Sequence, residues 1–202
     1  MTEDVPSPID LQDEHDARTW VAEADARRPW RAEIRDVIAG LVAGNVLELG
    51  AGPGFLAERV LRDGRVTSYT VFDFSEPMLA MCRERLGDRV RYVHGDFKRE
   101  GWSTGLGSFD AVVAMQAVHE IRHKRHVPGL YREVRGITGL LVVCDHEPTD
   151  RQPGLYSTEA EQHAAMRGAG FQDVATPWAR HGMYVISAGA AGVIGTAGGV
   201  SG

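Results

Sequence analysis

Val46-Leu47-Glu48-Leu49 runs directly into Gly50-Ala51-Gly52-Pro53-Gly54, and Phe55 to Leu61 then reads as a helix. Strand, tight turn and helix follow in that order. Gly50, Gly52 and Gly54 let the backbone approach a ligand where a Cβ would collide. The spacing is G-x-G-x-G, because Phe55 stands where a dinucleotide loop would have its third glycine. Glu48 precedes the first glycine by two residues. Asp73 follows the loop by about twenty, a spacing at which a carboxylate can accept from both hydroxyls of a ribose. His119 and His146 each follow an apolar run, and imidazole titrates in the range that suits a proton acceptor.

These groups need a frame. Short apolar runs predict strands over Val46–Leu49, Thr67–Phe72, Val90–Val93, Phe109–Ala114 and Leu140–Cys144. Helical segments separate them, the pattern of a parallel sheet buried on both faces. Ser75 is a suitable N-cap, with Pro77 in the first turn of the helix it opens. Asp13–Ala26 and Trp30–Val42 read as two helices broken at Pro29. Thr158–Gly168 reads as a helix. Phe171–Trp178 and Met183–Ala188 read as a hairpin joined by Ala-Arg-His-Gly, which makes the last pair antiparallel. The expected organisation is a flexible stretch over 1–12 and one domain over 13–188, with a disordered Gly/Ala-rich tail over 189–202. Within the domain, residues 13–43 form the N-terminal helices and 44–188 the core.

In an open parallel sheet, ligands bind at the carboxyl ends of the strands. Taken together, the strand-end residues resemble the class I S-adenosylmethionine (SAM)-dependent methyltransferases. The resemblance covers Gly44 to Pro148 and, with the hairpin, reaches Ala188. It implies an α/β, Rossmann-like, seven-stranded and mostly parallel sheet with an antiparallel last strand, helices on both faces and an N-terminal helical cap. It implies SAM as cofactor and S-adenosylhomocysteine (SAH) as product. The cofactor residues it implies are Glu48 toward the ammonium, Gly50, Ala51, Gly52 and Gly54 in the loop, and Asp73 on the ribose. Phe74 and Met78 would pack on the adenine. Gly95, Asp96 and Phe97 resemble the segment that takes the adenine amino group and covers its ring. Met115 and Gln116 fall in the motif bordering the methyl group.

An Asp/Asn-Pro-Pro-aromatic motif does not follow the fourth run, where Ala114-Met115-Gln116-Ala117 stands instead. This argues against an adenine-methylating enzyme and toward the small-molecule branch, with quinone and natural-product acceptors. His119 and His146 are the candidate bases for an acceptor proton. The run His119-Glu120-Ile121-Arg122-His123 also spells H-E-x-x-H, which on a helix would set two imidazoles on one face for zinc. Because His119 ends the fourth motif, no metal is assigned. Two other readings stay open: a SAM-binding subunit without catalysis, and a metal-dependent hydrolase using His119, Glu120 and His123. Trp20, Arg27, Arg28 and Trp30 either pack on the sheet with their arginines in water or close as a lid over the cleft.

The 202 residues carry a net charge of −6, which speaks against a general nucleic-acid binder. No apolar run is long enough to span a bilayer. Cys82 and Cys144 sit in apolar surroundings, as reduced thiols of a cytoplasmic protein do. Lysine occurs only at Lys98 and Lys124, an arginine bias that points to a GC-rich bacterial genome. The expected partner is a small methyl acceptor, with a dimer allowed and no nucleic acid or membrane.

Overall fold

The computed structural model describes residues 4–150, 152 and 154–189, with the side chains of residues 25 and 27 left aside. The elements are α1 (Glu14–Arg27), α2 (Arg31–Leu41), β1 (Gly44–Leu49), α3 (Phe55–Val60), β2 (Val66–Asp73) and α4 (Glu76–Leu86). They continue with β3 (Arg91–His94), β4 (Ala111–Met115), α5 (Val127–Arg135), β5 (Leu140–His146), α6 (Glu159–Gly168), β6 (Asp173–Arg180) and β7 (Met183–Gly189). One seven-stranded sheet has the order β3-β2-β1-β4-β5-β7-β6. β1 to β5 pair in parallel, and β7 runs antiparallel to both β5 and β6.

The chain enters at β1 in the middle of the sheet, moves outward to β3, and returns to β4 on the other side of β1. That reversal opens a crevice at the carboxyl ends of β1 and β4. Both faces of the sheet are covered. Ile34, Ile38, Tyr69 and Leu79 lie in one buried cluster, and Tyr131, Val134, Met166 and Phe171 in the other. In α5 the buried residues are Val127, Leu130, Tyr131 and Val134, one helical face at i, i+3, i+4 and i+7.

Local signals set the helix starts. Ser75 Oγ accepts from Met78 N at 3.1 Å, as its N-cap role requires. Thr158 and Glu161 form a reciprocal capping box at the start of α6.

The hairpin departs from its expected bounds. Phe171 is a buried plug rather than the first strand residue, and Pro177, which has no N–H to donate, lies where the β6 register shifts between Ala175 and Trp178. The strand therefore runs on to Arg180. His181 and Gly182, with φ of 56° and 67°, make a two-residue turn of the hand that matches strand twist.

The N-terminal stretch, expected to fray, is tied down from residue 4 onward. Arg122 Nε donates to Val5 O at 2.8 Å and its Nη2 to Pro6 O at 2.7 Å, while Ser75 Oγ donates to Leu11 O. The expected tail lies outside the described residues from 190 onward, and Gly189 belongs to β7. Among the described residues, no helix is long and apolar enough to cross a membrane.

Candidate functional site

The glycine turn sits at the crevice, and its three glycines serve different ends. All have positive φ, at 65°, 54° and 82° for Gly50, Gly52 and Gly54. A Cβ on Gly50 would lie 2.5 Å from Ala117 Cβ, and one on Gly54 would lie 2.7 Å from Cys82 Sγ. A Cβ on Gly52 would meet nothing within 4 Å. Packing therefore excludes a side chain at two positions, while Gly52 opens onto the cavity. Both Gly50→Ala and Gly52→Ala should lose about 1–2 kcal/mol for a left-handed backbone. Gly50→Ala should lose about 1–3 kcal/mol more from its collision with Ala117. Urea denaturation of the two variants checks this order, and equal losses would contradict it.

The carboxylates converge on the turn. Asp73 Oδ2 accepts from Gly52 N at 2.7 Å and its Oδ1 from Ser75 N at 2.9 Å. Burial raises the Asp73 pKa to about 6 against the pull of these N–H groups. Glu48 Oε2 accepts from Tyr69 Oη at 2.8 Å. Burial raises its pKa to about 8, Tyr69 opposes that, and the Asp73 charge adds to it. Both acids line one cavity of about 270 Å³, together with Gly50, Ala51, Gly52, Phe74, Met78, Phe97, Met115, Gln116, His119 and His146. Neither acid has an ion-pair partner among the described residues. Two buried carboxylates beside an open cavity favour a ligand that brings positive charge and hydroxyl donors.

Three expected residues sit differently. Asp96 opens on an adjoining cavity of about 300 Å³ that also touches Phe74 and Phe97, and its Oδ1 accepts from Lys98 N at 2.9 Å. Gly95 lines neither cavity. Its N donates to Asp73 O at 3.0 Å, and a Cβ there would lie 2.6 Å from the Phe72 ring. Gly54 belongs to packing against Cys82 and does not line the cavity.

The histidines differ sharply. His119 lies in a short 3-10 turn, Val118–Ile121, ended by Arg122 at φ 68°. Its Nδ1–H donates to Asp145 Oδ1 at 2.7 Å, its backbone N donates to Asp145 Oδ2 at 3.1 Å, and Nε2 lies 3.4 Å from Glu120 Oε1. Burial opposes the charged ring, but the charge and hydrogen bond of Asp145, with help from Glu120, raise its pKa to about 10. His146 goes the other way. Burial lowers its pKa to about 4, against the charge of Asp145. Gln116 Nε2 donates to His146 Nε2 at 2.8 Å, while Gln116 Oε1 is buried with no partner. Gln116 itself is held at φ 55°. Tyr156 lies 5.1 Å from the His119 ring and 5.5 Å from the His146 ring, between centroids.

The zinc geometry does not form. Arg122 ends the 3-10 turn before His123, whose ring accepts from Arg125 N instead of sharing a helix face with His119. Among the described residues no group of three or more His, Cys, Asp or Glu is arranged to hold a metal. Trp20 and Arg28 line the main cavity, Trp30 stacks on His181 at 5.0 Å, and the Arg27 side chain lies outside the description.

Sequence reading missed Tyr156, Arg31 and Arg35, all in the cavity wall, and the pairing of Asp145 with His119. Asp145 was legible only as the neighbour of His146. Tyr156 sits in a loop without periodic pattern.

Comparison with known proteins agrees with this geometry. Residues 46–138 match the family described as a methyltransferase domain. The chain is 31% identical over 122 residues to an uncharacterized methyltransferase of Geobacillus sp. (strain WCH70), covering 59% of this chain and 55% of that protein. It is 31% identical over 88 residues to the malonyl-[acyl-carrier protein] O-methyltransferase of Neorickettsia risticii (strain Illinois), covering 44% of this chain and 34% of that one. The matched part thus spans about half or less of these two relatives. The solved structure of a DhpI–SAH complex superposes with a TM-score of 0.69 at 18% identity, covering 88% of this chain and 94% of that one.

Proposed function

We propose that this chain, whose residues 46–138 match a methyltransferase domain and whose fold superposes on that of a solved SAH complex, transfers a methyl group from SAM to a small-molecule acceptor. The observation that carries the reading is the pair of buried acids, Glu48 and Asp73, in one cavity with an open Gly52 and the His119–Asp145 dyad. The residues present fit the cofactor. Gly52 leaves room where a Cβ would intrude, Asp73 would hold the ribose, and Glu48 would answer the ammonium. Met78, Phe74 and Phe97 offer apolar surface for a base, with Asp96 beyond them on the adjoining cavity. Met115 and Gln116 border the reacting centre. When bound, SAM supplies an electrophilic methyl on a positively charged sulfur.

The chain's own part is alignment, exclusion of water and proton removal. Asp145 holds the His119 ring with Nδ1 as donor, and once the ring is neutral its Nε2, which otherwise faces Glu120, can take a proton from the acceptor's reacting atom. His146, neutral above about pH 4, is a positioning wall fixed by Gln116. The dyad favours an acceptor that gives up a proton on methylation. Residence in the cytoplasm goes with this reading, as does an acceptor other than nucleic acid.

Calorimetry with SAH, in buffers of different ionisation enthalpy, tests it. Glu48 is mostly protonated at pH 7 in the free protein, since its pKa is about 8. An ammonium beside it favours the carboxylate, so binding should release roughly one proton at pH 7. Affinity should therefore rise with pH and level off above about 8. Absence of SAH binding by folded protein would sink the reading.

A further inference from the structure

Part of the cavity wall comes from the N-terminal stretch. Ser7, Pro8, Ile9 and Leu11 line the cavity that holds Glu48, Gly52 and Asp73. The same stretch walls the adjoining cavity beside Asp96 and Phe97. Residues 4–12 belong to no helix or strand. Among the described residues, every hydrogen bond from residues 5–9 to the rest of the domain goes to Arg122. Val5 N donates to Arg122 O at 2.9 Å, Arg122 Nε donates to Val5 O at 2.8 Å, and Nη2 donates to Pro6 O at 2.7 Å. Pro6 and Pro8 have a fixed φ, which stiffens the piece between them. Two further ties flank it. Asp4 pairs with Arg125, with His126 Nε2 3.0 Å from its Oδ1, and Leu11 O accepts from Ser75 Oγ.

Arg122 holds an unusual position. It is buried, and its backbone sits at φ 68° at the end of the 3-10 turn Val118–Ile121. Glycine takes that conformation freely, whereas a residue with a Cβ takes it at a cost. An arginine kept there points to a use for its guanidinium. Its Nη1 donates to Glu120 Oε2 at 3.2 Å, and Glu120 Oε1 lies 3.4 Å from His119 Nε2. One side chain thus joins the N-terminal stretch to the turn that carries His119. Two residues on, Lys124 N donates to Gly154 O at 2.8 Å, next to Leu155 and Tyr156 of the cavity wall. The run that spells H-E-x-x-H therefore fastens two walls of the cavity.

We propose that residues 4–12 are a strap closed over the cofactor site, and that Arg122 is the positioning residue that clasps it. SAM enters and SAH leaves when Val5 and Pro6 let go of Arg122 and the strap swings on its tie at Leu11. The inference rests on the reading above, in which Glu48 and Asp73 hold the cofactor. No covalent bond forms or breaks in this step.

The test is the kinetics of SAH binding by stopped-flow tryptophan fluorescence, with Trp20 in the cavity wall as reporter. The unmodified full chain is compared with Arg122→Gly and Arg122→Lys. Glycine suits the φ of 68°, so Arg122→Gly removes the clasp and relieves the turn, and its thermal melt should stay cooperative. Release of SAH should become about 10- to 100-fold faster, the effect of losing one or two hydrogen bonds from a charged donor. Association should become faster as well, because the strap stands open for more of the time. Arg122→Lys, which reaches one carbonyl at a time, should fall between the two. Amide hydrogen exchange without ligand reads the strap directly. Val5 N–H should lose protection in Arg122→Gly, while Gln162 N–H, bonded to Thr158 O at the start of α6, should keep it. Should the glycine variant not fold, Arg122→Lys carries the same test. Unchanged rates, or a Val5 amide as protected as before, overturn the proposal. So does faster release with slower or unchanged association, because that is the mark of a damaged site rather than an opened strap. If SAH does not bind the unmodified chain, the methyl-transfer reading falls and this inference falls with it. SAH binding at rates that ignore Arg122 sinks the inference alone.

Discussion

Replacing Asp73 by Ala should weaken SAH binding by about two to four orders of magnitude. Each charge-assisted hydrogen bond to a ribose hydroxyl contributes about 1.5–3 kcal/mol, and each 1.4 kcal/mol is about tenfold in affinity. The same carboxylate accepts from Gly52 N and Ser75 N, so its loss also frees the glycine turn. Asp73→Asn separates the two effects. Its amide oxygen can keep one backbone bond, yet it brings no charge to the ribose. We expect Asn to restore most of the thermal stability lost in Ala and little of the affinity. Calorimetry and thermal melts on the three proteins read both quantities. An Ala variant with unchanged affinity would remove Asp73 from the cofactor site. The pH dependence carries the same signature: binding needs the carboxylate, so affinity should fall as pH drops through about 6.

The second large effect concerns the dyad. With an acceptor in hand, His119→Ala should lower kcat by about 10²–10⁴ while SAH affinity changes little. The pH profile distinguishes a base from a structural residue. His119 must be neutral to act, and its neutral fraction grows as pH rises through a pKa of about 10 in the empty cavity. A bound sulfonium lowers that value, because like charge disfavours the imidazolium. The rate should therefore climb with pH, with a midpoint above 6.5 and below about 10. Asp145→Asn removes the charge that raises the ring's pKa. Its rising limb should move to lower pH, and its plateau should fall because the ring loses its fixed tautomer. A profile flat from pH 5 to 10 in the unmodified protein would contradict proton removal by His119. In that case His146, neutral above about pH 4, would be the group to test.

Much of the frame was legible because it is local. Ser75, followed by Pro77, announces the start of α4, and Thr158 with Glu161 announces α6. The apolar runs marked the five parallel strands and the hairpin pattern the last two, since a strand buried on both faces, as β4 is, has few residue types to choose from. Errors fell where a single residue overrides the pattern. Pro177 and the His181–Gly182 turn moved the hairpin bounds.

The sequence by itself determined the glycine turn, the strand that ends at Asp73, and the order of strand-end motifs. These depend on backbone sterics and on contacts between residues near in the chain. Only the tertiary structure decided which groups share a cavity and in what charge state. Asp145 reaches His119 from 26 residues away, and Gln116 reaches His146 from 30. Arg122 draws Val5 and Pro6 across more than a hundred residues. The same side chain, imidazole, is pushed to about 10 in one place and to about 4 in the other. Residue type sets the starting pKa, but burial and the neighbouring charge set the final one, and both exist only once the chain has closed on itself.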